Sequence, residues 1–243
     1  MLRKMFKYFI FREKRNSKSY VNYLRKQGCN IGKNVSIFYP TRVCIDLTRP
    51  WLISIGDNVQ ITENVTILTH GYDWSVLKGK YGEICGSSGK VIIGNNVFIG
   101  MKSTILKGVK IGNNVIIGAN SLVNKDIPDN VVIAGNPAKI IMTLNEYYNK
   151  RRKKQLEEAV ECSIEYYKTY GSWPKKELLR EFIFLFENRD QNIDNNSIFK
   201  EIGSLVANYD ETKNKFYSTK SQFSNYDDFI EYCKNNLIKQ KKN

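Results

Sequence analysis

Nearly every sixth residue over much of the chain is aliphatic. Stepping by six from Ile31 gives Ile31, Ile37, Val43, Arg49, Ile55, Ile61 and Ile67, and from Ile93 gives Ile93, Ile99, Ile105, Ile111, Ile117 and Val123. Four residues after each stands a second set, mostly small or β-branched: Val35, Thr41, Leu47, Ile53, Val59 and Val65, then Val97, Ser103, Val109, Val115, Ser121 and Ile127. Turn-forming residues lie between, as in Ile55-Gly56-Asp57-Asn58-Val59. A helix repeats at about 3.6 residues and a simple strand at two, so neither keeps a period of six for long. Short strands joined by tight turns and wound into a parallel β-solenoid do keep it, because the aliphatic positions then stack inward coil upon coil.

Two departures interrupt the pattern. Arg49 stands where an aliphatic is due, inside Asp46-Leu47-Thr48-Arg49-Pro50-Trp51, and Pro50 removes a backbone donor, so one corner of that coil is predicted to bulge outward. The step from Ile67 to Ile93 is 26 residues, not a multiple of six. It predicts a loop over about 70–90 that leaves the coil, holding His70, Gly71, Tyr72, Asp73 and Trp74 and ending near Gly86-Ser87-Ser88-Gly89. Long excursions from a rigid scaffold are where function usually sits. Beyond the repeat, residues 145–170 read as a helix closed by Gly171. A second helix follows Pro174, with Leu178, Leu179, Phe182 and Phe186 at steps of three and four; Asn188 to Ser197 reads as a loop and Asp227 to Leu237 as a third helix. The expected organisation is a basic N-terminal helical segment over 1–27, a β-helical domain over 28–143 that carries the loop, and a C-terminal helical appendage over 144–243.

The net charge of +14 is uneven, since residues 1–27 hold nine basic residues against one acidic. That segment interleaves Arg3, Lys4, Lys7 and Arg12 with Phe6, Tyr8, Phe9 and Phe11. It fits a solvated helix packing its aromatic side on the protein, or contact with an anionic membrane surface. No zinc-finger spacing or RNA-binding aromatic motif is present, which argues against nucleic acid. The run Phe9-Ile10-Phe11 is too short for a signal peptide, and no stretch approaches the ~20 apolar residues that cross a bilayer. The expected compartment is the cytoplasm, at the inner face of the membrane if the basic segment engages it. The five cysteines, Cys29, Cys44, Cys85, Cys162 and Cys233, form no CxxC pair and read as reduced thiols. His70 is the single histidine, which excludes a metal site built on several imidazoles.

The repeat, with Gly118-Ala119-Asn120-Ser121-Leu122-Val123-Asn124-Lys125-Asp126-Ile127-Pro128 and Ala134-Gly135-Asn136-Pro137-Ala138-Lys139 after it, resembles the hexapeptide repeat of the left-handed β-helix acyltransferases. Residues 31–141 are similar to the galactoside and xenobiotic acetyltransferase branch, and the helical tail is similar to those of bacterial surface-polysaccharide O-acetyltransferases. The resemblance implies a mainly β protein, a left-handed parallel β-helix with about 18 residues per coil. It also implies a homotrimer with active sites between subunits, acetyl-CoA as co-substrate and a carbohydrate acceptor.

His70 follows a hexapeptide end as the family's catalytic histidine does, which makes it the expected general base. An imidazole of ordinary pKa near ~6.5 is largely neutral at neutral pH, and such catalysis contributes ~10² to 10⁴ in rate. Positions 18 apart should share an edge, which aligns Gly100, Gly118 and Asn136, and Met101, Ala119 and Pro137. Small residues there would let a pantetheine arm lie against free backbone groups, although glycine is also common in hexapeptide turns. By the resemblance Ala119 contacts that arm, while Asn124, Lys125 and Lys139 lie near its phosphates or adenosine. Asn124 stands where the galactoside enzymes often carry Thr.

For the acceptor, Asp46 is placed to grip sugar hydroxyls and Trp74 to cover a sugar face or the pantetheine arm. Asp46 equally suits a turn cap, and Trp74 a pin for the loop. Asp73 is a further carboxylate that could orient His70 or Arg49. No cysteine lies beside His70 in sequence, so direct transfer is expected rather than an acyl-cysteine step. The same fold would serve an N-acyltransferase on a nucleotide-linked amino sugar or a non-catalytic trimeric scaffold. A β-helix carbonic anhydrase site would need three histidines.

Overall fold

The computed structural model describes residues 12–242; the aromatic-basic segment up to Phe11 lies outside the described residues. By internal contacts the chain divides into two compact units, Met1–Tyr147 and Tyr148–Asn243. No helix of the described residues is long and apolar enough to cross a membrane.

Each hexad of the first unit makes a strand of two or three residues in which a buried aliphatic alternates with a more exposed neighbour. In chain order these are β1 (Asn30–Ile31), β2 (Ser36–Ile37), β3 (Cys44–Ile45), β4 (Ile53–Ile55), β5 (Gln60–Ile61), β6 (Thr66–Ile67), β7 (Val91–Ile93), β8 (Val97–Ile99), β9 (Thr104–Ile105), β10 (Lys110–Ile111), β11 (Val115–Ile117) and β12 (Leu122–Val123). They enter three parallel sheets in strict rotation, β1-β4-β7-β10, β2-β5-β8-β11 and β3-β6-β9-β12. The chain is thus a three-walled coil. Its core is three columns of side chains: Ile31, Ile55, Ile93 and Ile111; Ile37, Ile61, Ile99 and Ile117; and Ile45, Ile67, Ile105 and Val123. All are buried, and each contributes roughly 1.5–3 kcal/mol by leaving water.

The corners explain the Gly-Asx-Asn signature. Asn34, Asn58, Asn96, Asn114 and Asn130 all take positive φ, between 53° and 60°, which Asn tolerates better than most residues. Their amides form a ladder, with Asn96 Nδ2 donating to Asn114 Oδ1 at 2.8 Å and Asn114 Nδ2 to Asn130 Oδ1 at 2.9 Å. One residue earlier, Asp57, Asn95, Asn113 and Asp129 each accept a backbone N–H from the adjacent coil. The glycine before them is required by close approach: a Cβ on Gly56 would stand 2.7 Å from the Gly94 carbonyl oxygen.

The coils differ in length, which corrects the expected uniform 18. Ile31 pairs with Ile55 across 24 residues, Ile55 with Ile93 across 38, Ile93 with Ile111 across 18, and Ile111 with Ile127 across 16. In the first coil Ile45, not Val43, takes the third column, and Arg49 lies outside the columns altogether. Two short 3-10 turns, Pro40–Arg42 and Pro50–Leu52, add the extra residues, the second of them in the corner where a bulge was expected. Their insertions of two and four sum to one hexad, so stepping by six regains Ile55 as though nothing had intervened. In the last coil Ile127 opens a strand position rather than belonging to the second set.

The excursion after Ile67 is not a plain loop. Its neck is an antiparallel bridge between His70 and Ser88, reinforced by Gly71 N–H to Ser87 O at 3.1 Å and Gly89 N–H to Thr69 O at 2.9 Å. Before the first coil, α1 (Ser17–Gln27) is capped by Asn16 and by Gly28 at φ 108°, and inserts Tyr20, Val21 and Leu24 into the coil core. Beyond the neck of the excursion lies α2 (Trp74–Tyr81), which has no buried residue. After the last coil, β13 (Val131–Ala134) extends the second sheet and β14 (Lys139–Thr143) closes it antiparallel.

A long helix, α3 (Leu144–Tyr170), leads into the second unit, ending where Gly171 was read as its stop. That unit has two aromatic cores, one around Phe186 and Phe229, the other around Phe199 and Phe216. The second expected helix is instead a 3-10 stretch (Lys176–Phe182) that bends at Leu179 into the short α4 (Ile183–Phe186), leaving Leu178 exposed. The stretch from Asn188 to Ser197, where a loop is expected, contains a 3-10 turn (Ile193–Asn195) and runs into α5 (Ser197–Gly203). Beyond it lies α6 (Tyr209–Ser218), whose apolar positions are too few for a stripe, and α7 (Tyr226–Lys242) contains the helix expected over Asp227 to Leu237.

Candidate active site

Both departures from the repeat leave the coil after strands of the third sheet. Because Ile45 pairs with Ile67, the residues that follow them, Asp46-Leu47-Thr48 and Leu68-Thr69-His70, run side by side at one corner. Asp46 N–H donates to Ile67 O at 3.0 Å and keeps the two in step. The outcome is a tight polar cluster at the root of the excursion.

Asp46 is its centre and is 8% exposed. Oδ2 accepts from Thr69 N at 3.0 Å, from the Thr69 hydroxyl and from His70 Nδ1 at 2.6 Å. Oδ1 accepts from Thr48 N at 3.0 Å and Thr48 Oγ1 at 2.7 Å. Burial alone would raise this carboxyl, but the hydrogen bonds from Thr69 and Thr48 outweigh it and hold the group well below the usual carboxylate range. An ionised carboxylate only accepts, so Nδ1 carries a proton, and in the neutral imidazole the lone pair is then on Nε2. Thr48 Oγ1, 3.1 Å from Nδ1, completes the cradle. This is the arrangement of a base oriented by a second group.

The geometry corrects one expected role. Asp46 is not free to grip an acceptor: both oxygens are occupied and the group is buried. It orients His70, the part considered for Asp73, which instead precedes α2 as its exposed N-cap position. The ring of Tyr72 lies 5.1 Å from that of His70, and Trp74 lies 6.0 Å from Tyr72.

The expected cofactor residues separate into two groups. Gly100 is buried, and a Cβ there would stand 2.6 Å from Ala119 N, so its smallness serves coil packing rather than a ligand. Gly118 stacks on Ala134, not on Asn136, because the last coil is short; a Cβ would lie 2.9 Å from the Ala134 Cβ. Met101, Ala119, Asn124, Lys125 and Lys139 are exposed. Lys125 sits at the corner after Val123, on the edge that carries His70 two coils earlier. Lys107, 18 residues before Lys125, holds the same place in the intervening coil, and its Cε lies 3.7 Å from where a Gly71 Cβ would be. The 18-residue spacing could have found it.

All five cysteines are free thiols, and the described residues hold no group of three or more His, Cys, Asp or Glu that could hold a metal ion.

A three-walled coil of hexads with a carboxylate-held imidazole at one corner defines the architecture of a hexapeptide-repeat transferase. Residues 90–125 match the family model described as bacterial transferase hexapeptide (six repeats). Protein CapG of Staphylococcus aureus is 47% identical over 127 residues, 52% of this chain and 73% of its own length. The protein named "Putative colanic acid biosynthesis acetyltransferase WcaF" of Escherichia coli is 32% identical over 133 residues, 49% of this chain and 71% of its own length. A solved galactoside acetyltransferase in complex with coenzyme A is 30% identical with a TM-score of 0.40, covering 60% of this chain and 81% of that one. The chain belongs to the hexapeptide-repeat acetyltransferases and is an acyltransferase.

Proposed function

We propose that this enzyme moves the acetyl group of acetyl-CoA to a hydroxyl of a carbohydrate, an O-acetylation of a bacterial surface polysaccharide or its precursor. The observation that carries the reading is the 2.6 Å contact between His70 Nδ1 and the buried Asp46, which leaves Nε2 as a proton acceptor. Nε2 takes the acceptor hydroxyl's proton as its oxygen bonds to the thioester carbonyl carbon, and the imidazolium returns that proton to the departing coenzyme A thiolate. Asp46 stabilises the imidazolium between the two transfers. Met101 and Ala119 would line the pantetheine arm, and Lys125, Lys139 and Asn124 would face its phosphates and adenosine. Relatives such as WcaF support a polysaccharide acceptor. The proposal includes a left-handed coil, a homotrimer with sites between subunits, and action in the cytoplasm, where acetyl-CoA is made.

Calorimetric titration of acetyl-CoA into wild type and Lys125→Ala tests the donor half, with saturable binding that weakens in the variant as the expected result. Incubation with radiolabelled acetyl-CoA and carbohydrate tests the other half: mild alkali should release the label as acetate, since it cleaves an ester and spares an amide. Label that survives alkali would make this an N-acyltransferase, and folded protein without acetyl-CoA binding would make it a scaffold.

A further inference from the structure

Three rings at alternate positions follow one another out of the coil. His70, Tyr72 and Trp74 form a row in which the first pair meets edge to face, 5.1 Å apart at 73°, and the second pair lies 6.0 Å apart at 40°. Tyr72 is 68% exposed in the single chain, so packing within the chain does not account for an aromatic there, and its hydroxyl makes no hydrogen bond among the described residues. Yet its place is fixed. The neck bridge of His70 and Ser88 precedes it, its carbonyl accepts Ser75 N–H at 3.1 Å, and the returning chain is pressed on the next coil, where a Cβ on Gly89 would stand 2.7 Å from Gly108 N. A large ring anchored at its backbone and left bare beside a base is placed to meet a ligand face.

Both the acceptor hydroxyl and the thioester must reach Nε2, and of the two molecules the pyranose, with a broad flat C–H face, matches a bare aromatic ring, whereas the thin pantetheine chain does not. That assigns the platform to the acceptor rather than to the pantetheine arm. We infer that Tyr72, with Trp74 beside it, stacks against the C–H face of a pyranose ring in the acceptor and delivers one of its hydroxyls to His70 Nε2. The inference rests on the carbohydrate-acetylation reading and narrows it. The enzyme should prefer a cyclic sugar with one uninterrupted C–H face to an open-chain polyol with similar hydroxyls.

The test compares methyl β-D-galactopyranoside with galactitol as acceptors at saturating acetyl-CoA, in wild type, Tyr72→Ala and Tyr72→Phe. Expected for Tyr72→Ala is a rise of about fivefold in KM for the glycoside, the scale of one lost ring contact. The preference over galactitol should shrink by the same factor, the pH-rate profile should stay in place, and Tyr72→Phe should behave as wild type. An unmoved glycoside KM, or a fall in kcat with a displaced pH profile, would overturn the inference and make Tyr72 a prop for the imidazole. Saturation-transfer NMR of the same glycoside on His70→Ala separates the two levels. Ring-proton contacts that vanish in His70→Ala/Tyr72→Ala, without turnover by wild type, would keep the platform and remove the transfer reading. Turnover with contacts unchanged by Tyr72→Ala would do the reverse, and neither contact nor turnover would overturn the platform.

Discussion

The coils from Val91 to Val123 and the two coils before them use the same residues to different ends. In the later pair every strand follows the last at the same interval, and corner asparagines repeat one geometry. From Tyr39 to Gly89 the corners swell three times, and every group of the polar cluster lies in or beside the second or third swelling. Regularity supplies rigidity but offers only aliphatics inside and a repeated turn outside. Chemistry enters where the repeat fails, and two failures at one corner put a base and its orienting carboxylate within hydrogen-bond reach.

The sharpest way to break this comparison is His70→Ala. Transfer should fall by ~10² to 10⁴, with only a modest drop in melting temperature, because the buried Asp46 loses one of its several hydrogen-bond partners while the coil core stays intact. Retained turnover would move the chemistry elsewhere. Asp46→Asn comes next, with a loss on the order of 10² in kcat expected from a wrongly held imidazole tautomer.

Asp46 also predicts a pH effect. A carboxyl depressed in the folded state contributes stability that is complete above its ordinary pKa of about 3.9 and is lost as pH falls through the lower folded value. Urea midpoints of wild type should therefore drop more steeply below about pH 4 than those of Asp46→Asn. Parallel curves would show that the carboxylate does not supply this acid sensitivity.

Two glycines sharpen the contrast at smaller scale. Gly56→Ala drives a Cβ against the next coil's backbone and should cost about 1–3 kcal/mol in urea unfolding. Gly79, on α2, has nothing within 4 Å of the place a Cβ would take, so Gly79→Ala should be neutral or stabilising by up to about 1 kcal/mol. Equal losses from the two would mean that the excursion is packed as tightly as the coil.

How much of this was legible in the residues follows the same divide. The columns are visible because aliphatics recur wherever strands stack, and His70 stands out because a 26-residue step interrupts them. The Asp46 role was hidden. It depends on Ile45 rather than Val43 facing Ile67, and insertions that together equal one hexad erase that shift from a six-residue count. Gly100 and Gly118 misled for a related reason, since close coil contact and an open ligand groove both call for glycine, and only coordinates tell them apart. Helices without a clean apolar stripe, such as Tyr209–Ser218, leave little periodic trace at all.

The two ends of the coil are closed by different means. A parallel stack of identical rungs has no intrinsic stopping point, and a bare terminal rung would template another molecule into a fibre. Here α1 seals the first rung, with Arg25 Nε donating to Ile31 O at 3.1 Å and Ser17 Oγ accepting Ile37 N–H at 2.8 Å. At the far end β14 runs the opposite way along the second wall, and on the third the returning chain takes up the Leu122 backbone groups, Leu122 N–H donating to Gly135 O and Leu122 O accepting from Ala138 N–H. Polymerisation is blocked by polarity at one end and by a plug at the other, and removing either should turn a closed coil into a seed.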